Sequence, residues 1–241
     1  MTAMTVVRLM RIRRNVIDSI KGFLRRRGFA DRTPFKGFLR DARGVIHVGA
    51  HVGQERERYS QYRLNVLWVE PLPEHFAMLE RNIAPFPGQR AIQCLVTDKD
   101  DAEYAFHVTS NAGGSSSILP LDMHKDIWPE VTTTRTITLP SKTLPTALRE
   151  HDVDASAYDV LVMDTQGSEL LVLMGAAPLL QGFRYIKAEA ADFEAYTGCC
   201  QLSQVESYLA SHGFREHARN VIAQHPGGGR YFDIVFKRTD P

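Results

Sequence analysis

The chain has 241 residues, 44% hydrophobic and 24% charged, with a formal net charge of +1. That is enough apolar chain for one large domain with a full core, and so balanced a charge gives no bulk attraction to nucleic acid. Three cysteines are too few for a disulfide scaffold and their odd number suits a reducing compartment, while no apolar run reaches the roughly 18 residues of a membrane span.

Residues 1–43 carry twelve Lys/Arg against three Asp/Glu, a basic arm ahead of an acidic body. Val6, Val7, Met10, Val16, Ile17, Ile20, Phe23 and Leu24 recur at helical spacing between the arginines, so the arm reads as amphipathic helix ending near Gly28. It either covers an edge of the main domain or makes peripheral contact with anionic lipid or a partner. Arg8, Arg11, Arg13 and Arg14 interrupt every apolar run there, so no signal-peptide core is present and the expected location is cytoplasmic.

From Gly44 short apolar runs alternate with helical segments. Strands are expected over Val45–Val48, Val66–Val69 and Ala91–Val96, with helices over Gln54–Tyr62 and Glu74–Asn82 between them. Tyr104–Val108 and Arg135–Leu139 read as extra strands within an insert at 98–140, around the polar loop Asn111–Ser117. A helix over Leu144–Glu150 leads to the strand Tyr158–Met163, whose continuous apolar centre implies helices on both sheet faces. A helical stretch through Leu180, a strand over Arg184–Ala188 and a helix over Leu202–His212, closed by Gly213, come next. Phe214–His217 and Tyr231–Lys237 form a last hairpin around the turn at 226–229. The pattern predicts an α/β fold: a doubly wound, mostly parallel, seven-stranded Rossmann-like sheet with a C-terminal antiparallel hairpin.

The strongest local signal is His47-Val-Gly-Ala-His-Val-Gly-Gln54, a strand running into a glycine turn before a helix. Glycine lets backbone approach a ligand, and an opening helix offers free N–H groups, which suits a pyrophosphate or an amino-acid carboxylate. Glu70, at the end of the second strand, is placed to accept hydrogen bonds from ribose hydroxyls. A dinucleotide fingerprint needs two further glycines where this chain has His51 and Gln54, so a nicotinamide- or nucleotide-dependent oxidoreductase is the weaker alternative.

These residues, with Val69-Glu70-Pro71, Leu79-x-x-Asn82, Thr143-Leu144, Met163-Asp-Thr-Gln-Gly-Ser-Glu169 and Gly175-Ala176, resemble the FkbM family of methyltransferases over roughly residues 44–217. The resemblance implies a class I methyltransferase domain over 44–241, S-adenosylmethionine as cofactor and a hydroxyl acceptor. It places Gly49, Ala50, Gly53 and Gln54 around the methionine part, Glu70 at the ribose, and Val96, Thr97 and Asp98 beside the adenine. Two positions depart from the family pattern: His47 stands where an acid is usual, and His51 where asparagine is common. His47 then either packs at the strand end or contacts the cofactor.

Asp164 follows a wholly apolar strand, so it emerges at the carboxyl edge where open α/β sheets bind ligands, as a site residue or as a cap for the next helix. Glu189 should project from the same edge. Asp164, Glu189 and His47, in that order, are the candidates to deprotonate a poorly nucleophilic hydroxyl. Two carboxylates also leave a divalent metal undecided. Asn111–Ser117 is either a lid over the acceptor or an ordinary loop. The acceptor is expected to be a small molecule, such as a sugar, glycolipid or polyketide, with no nucleic-acid partner. A non-catalytic relative that binds a membrane or partner through the arm is the third reading.

Overall fold

The structure is a computed structural model that describes residues 37–239. Residues from Leu39 onward form one compact unit, and the arm expected over residues 1–43 lies outside the described residues as far as residue 36.

Within that unit, β1 (Gly44–Val48), β2 (Asn65–Glu70), β3 (Gln89–Gln93) and β7 (Val160–Met163) run parallel beside β8 (Tyr185–Ala191). β9 (Phe214–Gln224) and β10 (Arg230–Arg238) close the sheet as an antiparallel hairpin, in the order β3-β2-β1-β7-β8-β10-β9. The expected architecture is therefore the observed one. β1 and β7 are buried at every residue, which is why β7 reads as an unbroken apolar run and β1 as one broken only by His47. Asp159 anchors the start of β1, its Oδ1 accepting from the backbone N–H of Arg43 at 2.8 Å and of Gly44 at 3.3 Å.

Helices α1 (Arg56–Gln61), α2 (Pro73–Ile83), α4 (Leu144–Glu150), α5 (Glu169–Gly175) and α6 (Leu202–Ser211) connect the strands, and α3 (His124–Ile127) lies in the insert. α2 opens with proline at a position whose N–H needs no partner and buries His75, Leu79 and Ile83 on one face. A reciprocal pair of hydrogen bonds between Gln201 and Gln204 starts α6, and Gly213 follows it with φ +80°. Ile46, Leu67, Leu161 and Leu173, all at 0% exposure, sit in the main core; burying a side chain of this kind contributes about 1.5–3 kcal/mol.

Three expectations need correction. The third strand ends at Gln93, where the Cys94 N–H makes the last bond of the parallel ladder to the Glu70 carbonyl, and Leu95–Val96 (β4) joins a separate sheet. That sheet, ordered β4-β6-β5, pairs β4 with β6 (Thr133–Lys142), which in turn pairs antiparallel with β5 (Glu103–Thr109). The first helix begins at Arg56 and not at Gln54, so Gly53 and Gln54 belong to a turn. The helical stretch before Leu180 breaks at Ala176 into α5 and a 3₁₀ segment, Ala177–Gly182, where Pro178 cannot continue the α pattern.

Candidate active site

A cavity of about 210 Å³ opens at the carboxyl edge between β1, β2 and β7, roofed by the insert. Of the residues singled out from the sequence, His47, Gly49, Ala50, Gln54, Glu70, Val96 and Asp164 line it. Gly53, Thr97 and Glu189 do not. Thr97 is fully buried, its hydroxyl bonded to Lys99 backbone.

Glu70 ends β2 at 4% exposure. Its Oε2 accepts from the His51 N–H at 2.7 Å and its Oε1 from the Leu72 N–H at 3.0 Å, so two backbone donors fix the carboxylate and leave lone pairs for a ligand in the cavity. Behind it Leu72, Leu95, Phe106 and Ile118 form an apolar slot. The turn's two glycines also carry steric constraints of their own. Gly49 has φ +79°, and a Cβ there would stand 1.9 Å from the Asp164 carbonyl oxygen; it lets β1 and β7 backbones meet. A Cβ on Gly53 would meet Leu79 Cδ1 at 2.7 Å, a packing constraint away from the cavity.

Asp164 follows β7 and does not cap α5, whose N-cap is Ser168. Instead Asp164 Oδ1 accepts from Gln166 Nε2 at 2.6 Å. Gln166 Oε1 accepts from the Tyr196 hydroxyl at 2.6 Å, and the Gln166 carbonyl accepts from Ser117 Oγ at 2.8 Å. Burial holds the Asp164 carboxyl above the usual aspartate range, against the opposing pull of Gln166 and Lys187. The turn itself is held by Glu169, 1% exposed, which accepts from Thr165 N at 2.8 Å, Thr165 Oγ1 at 3.0 Å and Gly167 N at 3.0 Å. Burial still lifts its carboxyl to about 7.

His47 lies beneath this edge, 5% exposed. Its Nδ1 is 3.1 Å from the Tyr59 hydroxyl and its ring stacks on Trp68 at 5.0 Å. Desolvation lowers its pKa to about 3, so it is neutral at physiological pH. Glu189 falls one step beyond the Met163–Ala188 pair, beside Asp164 but facing a second, smaller void. Burial, then Asp164 and Asp233, push it well above the ordinary glutamate range.

The loop 111–117 is a roof with defined fastenings. His51, at φ +49°, donates from Nε2 to the Ala112 carbonyl at 2.8 Å while its Nδ1 accepts from Gln54 Nε2 at 2.9 Å, which fixes the tautomer. Gly113 sits so close to His75 that a Cβ would fall 2.1 Å from His75 Cε1. Gly113, Gly114 and Ser116 all face the cavity. His75, Phe106, Ile118 and Gln166 went unrecognised in the sequence; only His75 had a signal, sharing an i, i+4, i+8 face with Leu79 and Ile83.

The thiols are unactivated: burial raises Cys94 and Cys200 to about 12. Among the described residues no three His, Cys, Asp or Glu side chains cluster to hold a metal ion, and no helix is long and apolar enough to cross a membrane.

The family described as the Methyltransferase FkbM domain matches residues 47–216. No curated protein matches the chain in sequence. Among solved structures, the chain is similar to magnesium protoporphyrin IX methyltransferase from Synechocystis with bound SAM, at 12% identity and TM-score 0.46, over 93% of this chain and 79% of that one. The tRNA M1A22 methyltransferase of B. subtilis is similar at 8% identity and TM-score 0.48, over 87% and 65%. Precorrin-6y C5,15-methyltransferase from Geobacter metallireducens is similar at 11% identity and TM-score 0.45, over 80% and 79%.

Proposed function

The chain belongs to the FkbM methyltransferase family, and from that premise we propose that it moves a methyl group from S-adenosylmethionine to a hydroxyl oxygen of a small molecule, of sugar, glycolipid or polyketide type. The observation that carries the reading is the cavity between Glu70 and Asp164. Its residues fit the cofactor: a buried carboxylate with free lone pairs suits a ribose diol, and the Leu72, Leu95, Phe106 and Ile118 slot suits a flat adenine. Gly49, Ala50, Gln54 and the nearby Glu55 line the remaining wall, where the amino-acid end would lie.

When bound, the cofactor supplies an electrophilic methyl on a sulfonium. The chain aligns the acceptor, excludes water and takes up one proton. Asp164 faces the cavity, and a carboxyl raised by burial is a better base toward a hydroxyl than a solvated one. Gln166 orients it. Neutral His47 supports the edge from below, and Glu189 lies next to Asp164 on the acceptor side. The insert closes the roof through His51, Ala112 and Gly113.

Incubating the full chain with S-adenosylmethionine and a panel of sugars, glycolipids and polyketides, followed by mass spectrometry, tests the reading. The expected result is a gain of one CH₂ on a hydroxyl-bearing acceptor; methylation confined to nitrogen or carbon would overturn the choice of oxygen.

A further inference from the structure

Beside Glu70 the wall of the cofactor cavity carries a second polar side chain, His75, set there by the first turn of α2. It is 8% exposed. Its Nδ1 stands 3.7 Å from Glu70 Oε1, beyond hydrogen-bonding distance, and neither ring nitrogen hydrogen-bonds a described residue. The ring is held in place from two sides. The His51 ring packs against it at a steep angle, with centroids 4.3 Å apart. Gly113 lies so close to Cε1 that no side chain fits between them. His51 itself has both nitrogens engaged, by the Ala112 carbonyl and by Gln54, so it positions His75 without offering it a partner.

Two polar groups that line one cavity at this separation are bridged by a single oxygen about 2.8 Å from each. The neighbouring carboxylate selects the tautomer: with the hydrogen on Nδ1 the N–H dipole points at the anion, whereas a bare Nδ1 would set a lone pair against it. The bridging group must then accept from His75 and donate to Glu70. A hydroxyl does both, while a carbonyl only accepts and an ammonium only donates. Glu70 Oε1 already accepts from the Leu72 N–H, which leaves it a lone pair for that donation. Resting on the S-adenosylmethionine reading, we propose that His75 is a second ribose-binding residue, clasping with Glu70 one hydroxyl of the cofactor's ribose. The pair makes the site selective for a ribose over a deoxyribose, because losing that hydroxyl leaves a donor and an acceptor facing each other without a partner.

Calorimetric titration of the full chain with S-adenosylhomocysteine and its 2′-deoxy and 3′-deoxy analogues tests the clasp as a cycle between ligand and protein. Removing the bridging hydroxyl should cost the wild type about 50-fold in affinity and His75→Leu only about fivefold, while removing the other hydroxyl costs both proteins the same factor. Because each cost is a ratio within one protein, a roof loosened by the substitution cancels. His75→Ala, which makes no demand on space, repeats the cycle should the leucine disturb folding. His75→Asn, whose Nδ2 can stand where Nδ1 stands, should keep much of the wild-type sensitivity. Equal costs in wild type, His75→Leu and His75→Ala, as when a water fills the bridge instead, would overturn the clasp and leave the cofactor assignment standing. Sensitivity lost in His75→Asn as fully as in His75→Leu would assign the effect to packing and overturn it too. Failure of the wild type to bind S-adenosylhomocysteine at all would overturn both readings.

Discussion

Gln166 donates from Nε2 to Asp164 Oδ1 at 2.6 Å, and it does so from a left-handed backbone with φ +56°. A non-glycine residue held in that region costs on the order of 1–3 kcal/mol, a strain that persists only where the surroundings impose it. Here Tyr196, Ser117 and Glu169 impose it, through the Gln166 amide oxygen, the Gln166 carbonyl and the neighbouring N–H groups. The outcome is one fixed carboxyl at the cavity wall.

Replacing Asp164 by Asn keeps an oxygen for Gln166 to bond but removes the proton acceptor. We expect kcat to fall by about 10²–10⁴-fold, with binding of S-adenosylhomocysteine changed by less than about threefold. Steady-state kinetics on an acceptor and calorimetry on the same preparation check both halves. A variant that turned over at the wild-type rate would remove Asp164 from the chemistry.

The roof offers a sterically defined test. Gly113→Ala places a methyl 2.1 Å from His75 Cε1 at a backbone of φ +79°, so the loop must lift. Gly114→Ala meets nothing closer than the Asn111 carbonyl oxygen at 3.5 Å and serves as control. Stopped-flow release of S-adenosylhomocysteine should speed by about tenfold in the first variant and by less than about twofold in the second. Equal rates in both would mean that the loop does not retain the ligand.

Stability should depend on pH through Glu169 in a definite direction. Its folded pKa, about 7, lies above the ordinary glutamate value of 4.5. Between those values the folded chain holds a proton that the unfolded chain has released, so this residue makes stability fall as pH rises from about 4.5 to 7. His47, lowered from 6.5 to about 3, acts oppositely: its contribution is lost as pH falls through that window. Glu169→Gln should flatten the carboxyl's part, worth on the order of 3 kcal/mol. Denaturant melts of wild type and variant at pH 4.5, 6 and 7.5 measure the difference, which should shrink the wild-type advantage toward high pH; a constant offset would contradict the assignment.

Much of this was legible in the sequence wherever local pattern decides structure. Val45–Val48 and Val160–Met163 are buried on both faces, and such strands announce themselves as apolar runs. Glu70 and Asp164 stand at strand ends on the cavity wall, as those runs lead one to expect. The third strand was misread for the same reason: Leu95 and Val96 are as apolar as Ile92, and nothing local shows that they pair with Ser141 and Lys142 instead. The fastenings of the roof were hidden because His51 and Ala112, like Gly113 and His75, are distant in sequence. Gly49 lines the cavity as expected from the turn, and its close approach to the Asp164 carbonyl is a second constraint that a glycine-rich string does not carry. Glu189 was placed at the right edge but not in its own void, since only the continuation of β8 to Ala191 against β10 creates that space.

The central claim is that Glu70 presents a carboxylate to the ribose of S-adenosylmethionine. Calorimetric titration of S-adenosylhomocysteine into wild type and Glu70→Gln, with NAD as the competing ligand, tests it most directly. The account predicts one site per chain for S-adenosylhomocysteine, none for NAD, and a loss of about 10–100-fold in affinity on substitution, the worth of a charge-assisted hydrogen bond or two. Binding of NAD in preference, or an affinity unmoved by Glu70→Gln, would contradict it.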